Sequence, residues 1–268
     1  MASRKRWNFI HDKQNPFALP QNIAREVKSI AQARSNGRKT ECMQYLWIYV
    51  TPLSADSLHG VPPRETTLAT DEWLSILDES AALGTGCLVI STGEGIDKHP
   101  EILAMCSWAQ ETHEMFVGLH VYDKPLTAGE MEKLTSLDSR LFALFIDAEI
   151  SPKMPATGPR GVQVCGADCD GREVLKGNCV IPKNMACIGP NGKMYACAYV
   201  YGDTRYAMGH CFEKELDAVM NDESIPRTIP REEAAEKRRC NGCPPLMKQM
   251  LDKSKGRERG AKPKVNGK

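Results

Sequence analysis

The sequence predicts an α/β fold, a partial (β/α) barrel with a parallel sheet that is followed by a small cysteine-rich domain. Between residues 45 and 149, segments typical of buried strands alternate with segments typical of helices. The strand segments are apolar along nearly their whole length, as expected for a parallel sheet covered on both faces. Eight of the eleven cysteines then lie between Cys165 and Cys243, so the sulfur chemistry belongs to the carboxy-terminal part.

Four strands and three helices account for the alternation. The predicted strands are 45–51, 87–92, 116–122 and 141–149. The first predicted helix has Thr70 as its N-cap and ends at Gly84. Pro100 begins the second helix, and the capping box of Thr127 and Glu130 begins the third. Strand–helix–strand units imply right-handed crossovers and a parallel sheet, and four units are too few for a closed eight-stranded barrel.

The charge is distributed unevenly along the chain. The net charge is +1, but residues 1–39 hold nine Lys/Arg against two acidic residues, and residues 248–268 hold eight against two. The intervening residues therefore carry a net charge of −12. Basic ends of this kind bind nucleic acid or the acidic face of a partner, or they only solubilise the chain, and both interpretations stay open. No aromatic residue lies in the 248–268 segment, so we expect no base-stacking platform there.

The sequence carries no recognisable targeting or membrane segment. Its first residues are basic but have no apolar stretch of the kind found in a signal peptide. The apolar runs, such as 141–146, are far shorter than the ~20 residues of a membrane helix. We therefore expect a cytoplasmic protein with no membrane contact. In a reducing compartment, cysteines at short spacing are more often metal ligands than disulfides, and an odd number of cysteines cannot be fully paired.

A Cys-x-x-Cys pair, Cys240 and Cys243, supplies two thiolates on one short loop. A tetrahedral metal or a cubane cluster needs four ligands, and Cys179 and Cys197 are the obvious further candidates. The segment between them contains a Pro-Asn-Gly turn that ends at Gly192, which predicts a hairpin that brings its ends together. Spacing alone leaves an iron–sulfur cluster, structural zinc and no metal as open alternatives.

These residues occur in an order that resembles a known module. The order is Cys179, Gly192, Cys197, the Met-Gly-His segment at 208–210, and the pair Cys240 and Cys243. It resembles the twitch domain, the shortened SPASM module that follows the catalytic barrel of many radical S-adenosylmethionine enzymes. The resemblance implies that one auxiliary [4Fe–4S] cluster is held by Cys179, Cys197, Cys240 and Cys243. The full SPASM pattern continues with two more cysteines soon after Cys243, which this sequence lacks, so we expect a single cluster.

The remaining cysteines form two groups. A second metal site is one interpretation of Cys165, Cys169, Cys187 and Cys211, and unligated reduced thiols or core positions are the alternative. His210, which lies beside Cys211, is a more remote candidate ligand. The isolated cysteines, which we expect to be small buried apolar residues, are Cys42, Cys87 and Cys106.

The amino-terminal half resembles the core of radical S-adenosylmethionine enzymes, with two departures. In that family the loop after the first strand carries Cys-x-x-x-Cys-x-x-Cys, whose cluster leaves one iron open, whereas the loop 51–63 contains no cysteine. The second strand runs into Ser-Thr-Gly-Glu-Gly-Ile at 91–96, which keeps only part of the family's Gly-Gly-Glu-Pro turn. The resemblance implies that Glu94 contacts the amino group of S-adenosylmethionine, and a simple βα turn is the alternative. Because the open iron has no ligands here, we expect neither S-adenosylmethionine binding nor autonomous radical chemistry.

The predicted organisation has five parts. They are a basic extension (1–41), a degenerate radical S-adenosylmethionine-like partial barrel (42–150), a linker (151–164), a twitch/SPASM-like iron–sulfur domain (165–247) and a basic disordered tail (248–268). The leading hypothesis is a non-catalytic or accessory iron–sulfur protein that serves a partner enzyme, or a peptide or protein substrate, by binding or by electron relay. The alternatives are an S-adenosylmethionine-binding enzyme with altered chemistry and a nucleic-acid-associated protein with a structural metal site.

Overall fold

The computed structural model describes residues 43–51, 68–146, 150, 153, 164–166, 177–179 and 181–230. The strands are β1 (Tyr45–Tyr49), β2 (Cys87–Thr92), β3 (Phe116–Val121), β4 (Phe142–Ile146), β5 (Val164–Gly166), β6 (Asn178–Cys179), β7 (Met185–Ile188), β8 (Lys193–Tyr195), β9 (Ala207–His210) and β10 (Ile229–Pro230). The helices are α1 (Thr70–Ala82), α2 (Glu101–Glu111), α3 (Ala128–Lys133) and α4 (Leu216–Met220). Short 3₁₀ turns connect several of these elements.

Eight of the strands form one sheet, with the order β5-β4-β3-β2-β1-β7-β8-β9. Strands β1 to β5 follow one another across the sheet, and each pairs in parallel with the next. When right-handed crossovers add strands always in the same direction, the helices lie on one face, as in a (β/α) barrel and unlike a doubly wound sheet. The described sheet ends at β5 and β9, so the prediction of a partial (β/α) barrel with a parallel sheet is confirmed.

The sheet is wider than the sequence predicted. Besides the four predicted strands, β5 pairs in parallel with β4, and β7 pairs in parallel with β1 on its other side. Strands β8 and β9 then extend the sheet in antiparallel fashion. The strands of the cysteine-rich part therefore continue the barrel sheet at both of its ends. The two additional parallel strands have only three and four residues, which is too short for a clear pattern of hydrophobicity.

The two faces of the sheet differ in chemistry. Successive strand residues point to opposite faces, so Leu46 and Ile48 of β1 lie on an aliphatic face together with their partners on β2. The opposite face, which we call the aromatic face, carries the following residues of the three central strands: Tyr45, Trp47, Tyr49, Ser91 and His120. All but His120 are buried. The aromatic rings of β1 and the pair of Ser91 and His120 thus lie on one face.

The first residues of the helices agree with the prediction, except that the N-cap of the first helix lies one residue earlier. Helix α1 begins at Thr70, so the N-cap is Ala69 and not Thr70, and the Glu72 carboxylate accepts a hydrogen bond from the Ala69 N–H. The capping box of α3 is confirmed, because Thr127 Oγ1 accepts from the Glu130 N–H and Glu130 Oε2 accepts from the Thr127 N–H. Glu130 Oε1 also accepts from the Asp97 N–H, which fixes α3 against the loop after β2. No helix in the described part of the chain has the length and apolar composition to span a membrane.

Candidate metal centre

A tight hairpin positions Cys197. Strands β7 and β8 are antiparallel, and the turn between them is closed by a hydrogen bond from the Gly192 N–H to the Gly189 carbonyl at 2.9 Å. Gly192 has φ of +71°, a conformation that L side chains rarely adopt. Cys197 follows β8 by two residues and is 9% exposed. The Pro-Asn-Gly turn therefore closes a hairpin of β7 and β8, and Cys197 lies two residues beyond the end of β8.

Cys179 lies in a different sheet. It is the last residue of β6, and it pairs with Ile229 of the antiparallel strand β10. A 3₁₀ turn, Ile181–Asn184, separates it from β7. The segment between Cys179 and Cys197 is therefore not one continuous hairpin, as the sequence suggested. The reason is local, because Pro182 has no N–H to donate to a strand ladder and interrupts the extended backbone.

Two of the four predicted ligands are described. Cys240 and Cys243 lie outside the described residues, as do Cys42 and Cys169. Within the described ranges, no three Cys, His, Asp or Glu side chains are grouped so that they could hold a metal ion. The four-thiolate site therefore stays a prediction. Of its four ligands, the structure describes only Cys179 and Cys197.

The cysteines of the predicted second site are spread over several strands. Cys165 of β5 pairs with Phe145 of β4, whereas Cys187 of β7 pairs with Trp47 of β1. The two strands are five steps apart in the sheet order, about 24 Å along the sheet. Cys211 follows β9, and its N–H donates to the Gly192 carbonyl at 2.9 Å. A second site built from these residues stays a prediction.

Cys211 and His210 crowd the hairpin turn. A Cβ at Gly192 would lie 2.8 Å from Cys211 Sγ and 2.7 Å from His210 Cε1, which is closer than real contacts allow. Glycine at this position is thus required both by the backbone conformation and by the space available. Because the turn sets the position of β8, Gly192 also sets the position of Cys197.

Cys106 and Cys87 have the surroundings of structural residues. Both are buried in the hydrophobic core. Burial raises the pKa of Cys106 to about 12, so its thiol stays protonated and unreactive at neutral pH. The interpretation of these two cysteines as small buried apolar residues is confirmed.

Aromatic rings join the segment around Cys197 to the parallel sheet. Tyr199 lies edge-on to Trp47 at 5.9 Å between ring centroids, and Tyr201 lies 5.3 Å from Tyr49. Tyr201 also packs on Tyr195 at 4.7 Å. We call these five residues the aromatic seam. Since Tyr199 is only two residues after Cys197, the seam ties the predicted ligand to strand β1.

A hydrogen-bonded chain crosses the aromatic face beside the seam. The Trp47 indole N–H donates to Ser91 Oγ at 2.6 Å, and Ser91 Oγ lies 2.9 Å from His120 Nδ1. An indole nitrogen is only a donor, so Ser91 Oγ accepts from Trp47. Its own hydrogen is then available to His120 Nδ1. Ser91 thereby satisfies a buried indole N–H that water does not reach.

The carboxyl ends of β1, β2 and β3 are tied together by hydrogen bonds. The Gly93 N–H donates to Thr51 Oγ1 at 2.8 Å, and Thr51 Oγ1 lies 2.6 Å from the Tyr122 hydroxyl. A Cβ at Gly93 would lie 2.7 Å from the Tyr122 ring, so the close approach of the loop to this ring depends on glycine. In open parallel sheets, ligands bind at this edge. Glu94 follows directly in the same loop.

The Glu94 carboxylate is engaged by two lysines. Lys124 Nζ lies 2.9 Å and Lys98 Nζ 3.3 Å from Glu94 Oε1. Hydrogen bonds from Lys124 and Lys98 lower the pKa of Glu94 to about 2. His99 Nε2 lies 3.5 Å from the other carboxylate oxygen. The carboxylate is ionised and can bind amines, but lysine ammonium groups of the chain itself already surround it.

Of this cluster the sequence indicated only Glu94, and Lys124 is the member most distant from it along the chain. It lies in the loop after β3, 30 positions from Glu94. A signal was nevertheless present, because the carboxyl ends of neighbouring parallel strands meet at one edge of a sheet. An ion pair between a charged residue after β2 and one after β3 could therefore have been predicted from the order of the strands.

One family model matches part of the cysteine-rich segment. Residues 179–244 match the SPASM family, described as an iron–sulfur cluster-binding domain. The match begins at Cys179 and ends one residue after Cys243, so it includes all four predicted ligands. No curated protein matches the chain.

Solved structures with a similar arrangement include two proteins. BtrN in complex with AdoMet and 2-DOIA has 13% identity and a TM-score of 0.46, over 68% of this chain and 83% of BtrN. SuiB of Streptococcus suis bound to S-adenosylmethionine has 10% identity and a TM-score of 0.46, over 74% and 68% of the two chains. SuiB bound to precursor peptide SuiA has 11% identity and a TM-score of 0.47, over 74% and 69%. Likenesses of this size support no conclusion about activity. Residues 179–244, about a quarter of the chain, thus match the model of a family described as an iron–sulfur cluster-binding domain.

Proposed function

We propose that the chain is an accessory iron–sulfur protein that binds one [4Fe–4S] cluster. The ligands in this proposal are the four thiolates of Cys179, Cys197, Cys240 and Cys243. The observation that carries the proposal is the match of residues 179–244 to an iron–sulfur cluster-binding domain. The domain boundaries given above, including the linker 151–164 and the terminal extensions, remain part of the proposal.

The described residues fit such a cluster. Thiolates are the ligands that iron–sulfur clusters prefer, and the two described candidates are cysteines held by regular backbone. Cys179 is fixed by its pairing with β10, and Cys197 is fixed by the β7–β8 hairpin. Both are at most partly exposed, which protects a cluster from solvent. A bound cluster supplies one-electron redox chemistry or an iron-bound anchor for a partner.

An accessory role is supported by the loop after β1. This loop contains no cysteine between Thr51 and Thr70, so the loop itself does not supply the triplet of thiolates that holds the family's catalytic cluster. The amine-binding position at that edge is Glu94, and its carboxylate is engaged by Lys98 and Lys124. We infer that the chain serves a partner enzyme or a peptide or protein substrate, by binding it or by relaying electrons to it.

The aromatic seam gives this role a physical basis. The predicted ligand Cys197 is coupled through Tyr199 to Trp47, at the centre of the parallel sheet. A partner bound at the sheet is therefore mechanically connected to the cluster domain. Binding of nucleic acid by the basic ends stays a prediction, because both ends lie outside the described residues.

One experiment separates an accessory protein from a radical enzyme. The anaerobically reconstituted chain is reduced with dithionite in the presence of S-adenosylmethionine, and the products are analysed for 5′-deoxyadenosine. We expect a reduced cluster and no 5′-deoxyadenosine above the buffer control. Production of 5′-deoxyadenosine by the chain alone would show that it is an autonomous radical enzyme.

The second candidate function, an S-adenosylmethionine-binding enzyme, rests on the Glu94 edge. The expectation that S-adenosylmethionine does not bind stays a prediction that the comparisons do not support. Calorimetric titration of the reconstituted chain tests it directly. We expect no binding, because an incoming amino group must displace Lys98 or Lys124 from Glu94. Binding that disappears in Glu94→Gln but not in Glu111→Gln would establish the second function instead.

A further inference from the structure

Arg227 forms hydrogen bonds to three separate elements of the segment 179–230, which belongs to the proposed cluster domain. Its guanidinium donates to the Pro182 carbonyl at 3.4 Å, to Met208 Sδ at 3.3 Å and to the Val219 carbonyl at 2.7 Å. These acceptors belong to the turn after β6, to β9 and to α4, respectively. Arg227 also precedes β10, whose Ile229 pairs with Cys179. A single side chain therefore fixes the surroundings of a predicted ligand.

The positive charge of Arg227 has no ion-pair partner among the described residues. Its three acceptors are uncharged, and its Nε atom is buried without a hydrogen bond to any described residue. Burial lowers the pKa of Arg227, and attraction to Asp222 only partly opposes that shift. Asp222 is itself engaged by Lys214 at 3.5 Å and by Ser224.

A partly buried cation without a counter-ion among the described residues is stabilised by an anion that lies close to it. Burial removes part of the hydration of the guanidinium, and carbonyl oxygens replace only some of that hydration. A [4Fe–4S] core held by four thiolates is an anion, because the thiolate charges exceed the charge of the core. Cys179, three residues before the Pro182 carbonyl that binds Arg227, is one of the thiolates in the proposed set.

We propose that Arg227 is the fixed counter-charge of the iron–sulfur cluster, and that it sets the cluster's reduction potential as well as holding the strand of Cys179. This inference rests on the proposed function. A nearby positive charge favours the more negative, reduced state of a cluster and so raises its reduction potential. Arg227 acts through charge and position, because none of its described contacts is to a predicted ligand.

The test compares two substitutions of Arg227 with a matched control. Arg227→Gln removes the charge, Arg227→Lys keeps it, and Arg205→Gln removes an exposed arginine that pairs with Asp203. Each reconstituted protein is analysed for iron and sulfide, titrated potentiometrically with EPR detection, and challenged with a chelator. Wild-type loading is measured first, so that a chain that binds no cluster is recognised as a failure of the proposed function.

We expect Arg227→Gln to shift the potential to more negative values and to retain iron about tenfold less tightly. Arg227→Lys restores the potential but not the full retention, because lysine lacks the planar fork that reaches three acceptors. Arg205→Gln resembles the wild type in both measurements. A loaded Arg227→Gln protein with the wild-type potential would overturn the proposal.

Thermal unfolding of the metal-free proteins covers the case in which Arg227→Gln cannot be loaded. If its metal-free form is as stable as the metal-free wild type, the defect concerns the cluster and the proposal stands. A less stable metal-free form follows from the lost hydrogen bonds alone, so Arg227→Lys decides that case. A loaded Arg227→Lys protein with the wild-type potential supports the counter-charge. An Arg227→Lys protein that also fails to load, or whose potential is shifted to more negative values, shows that Arg227 is only a structural tie and overturns the proposal.

Discussion

The ring of Tyr199 lies edge-on to the indole of Trp47, with ring centroids 5.9 Å apart and an angle of 77° between the planes. Tyr199 lies two residues after Cys197, within the residues that match the iron–sulfur cluster-binding family, and Trp47 is the central residue of β1. Edge-on aromatic pairs are attractive because the positive ring edge meets the negative ring face. The contact therefore couples the cluster domain to the parallel sheet through side chains, in addition to the pairing of β1 with β7.

The coupling between Tyr199 and Trp47 is measurable. A double-mutant cycle with Tyr199→Leu and Trp47→Leu should give an interaction free energy of about 1 kcal/mol in denaturant unfolding. As a control, a cycle of Tyr199→Leu with Trp108→Leu should be additive, because Trp108 is 37% exposed and its ring lies edge-on to His113 and not against Tyr199. Additivity in both cycles would show that the seam does not couple the two regions.

Ser91 should be important for stability although it is small and lies in a strand. Ser91→Ala leaves the buried Trp47 indole N–H without its acceptor, which costs about 1–3 kcal/mol of unfolding free energy. Adding Trp47→Phe removes the unsatisfied donor, so the Ser91→Ala substitution should cost less in that background. Ser136→Ala, at an exposed hydroxyl that donates to the Lys133 carbonyl, should change stability by less than about 0.5 kcal/mol. Equal effects at both serines would contradict the role of the buried chain.

Gly192 and Gly129 offer a matched pair of glycine substitutions. Gly192→Ala should destabilise the protein by more than about 1 kcal/mol, because the residue has positive φ and its Cβ would collide with His210 and Cys211. We also expect lower iron loading, since the turn positions Cys197. Gly129→Ala lies in helix α3 with open space around the Cβ, so it should be neutral or stabilising by about 0.5–1 kcal/mol. Chemical unfolding measures the stability of the two variants, and iron analysis measures their loading. Normal iron loading of Gly192→Ala would contradict the role of the turn in positioning Cys197.

The Glu94 ion pairs predict a pH dependence of stability. The pKa of Glu94 is lowered from 4.5 to about 2, so its ionised form stabilises the fold fully above pH 4.5 and that contribution is lost as the pH falls towards 2. Glu94→Gln should therefore be less stable than the wild type at pH 7, by less than about 1 kcal/mol because the carboxylate is 35% exposed. The difference should disappear near pH 2 and shrink in high salt. Unfolding at several pH values measures it, with Glu111→Gln as a control that shows no such trend.

The central fold could be predicted because its signals are local. The β2 segment 87–92 and the capping box at Thr127 are each written in a few adjacent residues, and both are confirmed. Strands β5 and β7 were missed, since three or four residues carry no periodicity and their pairing with β4 and β1 depends on tertiary contacts. The 3₁₀ turn Ile181–Asn184, which separates β6 from β7, contains Pro182, a residue that cannot donate to a strand ladder.

The site was predictable only as far as spacing determines it. The four cysteines follow a motif along the chain, and the family match spans all of them. The separation of Cys179 and Cys197 into two sheets could not be deduced from spacing, because β6 pairs with a strand that lies 50 residues later. The role of Arg227 was equally hidden, since its acceptors are backbone carbonyls and a thioether that no sequence pattern marks.

The most direct measurement is iron and sulfide analysis with Mössbauer spectroscopy of the anaerobically reconstituted chain. It is applied to the wild type, to the variant with all four predicted ligands replaced by serine, and to the control Cys187→Ser. We predict about four iron and four sulfide per wild-type chain, the same for Cys187→Ser, and none for the fourfold variant. A wild type that takes up only zinc, or a fourfold variant that keeps its iron–sulfur spectrum, would contradict the account.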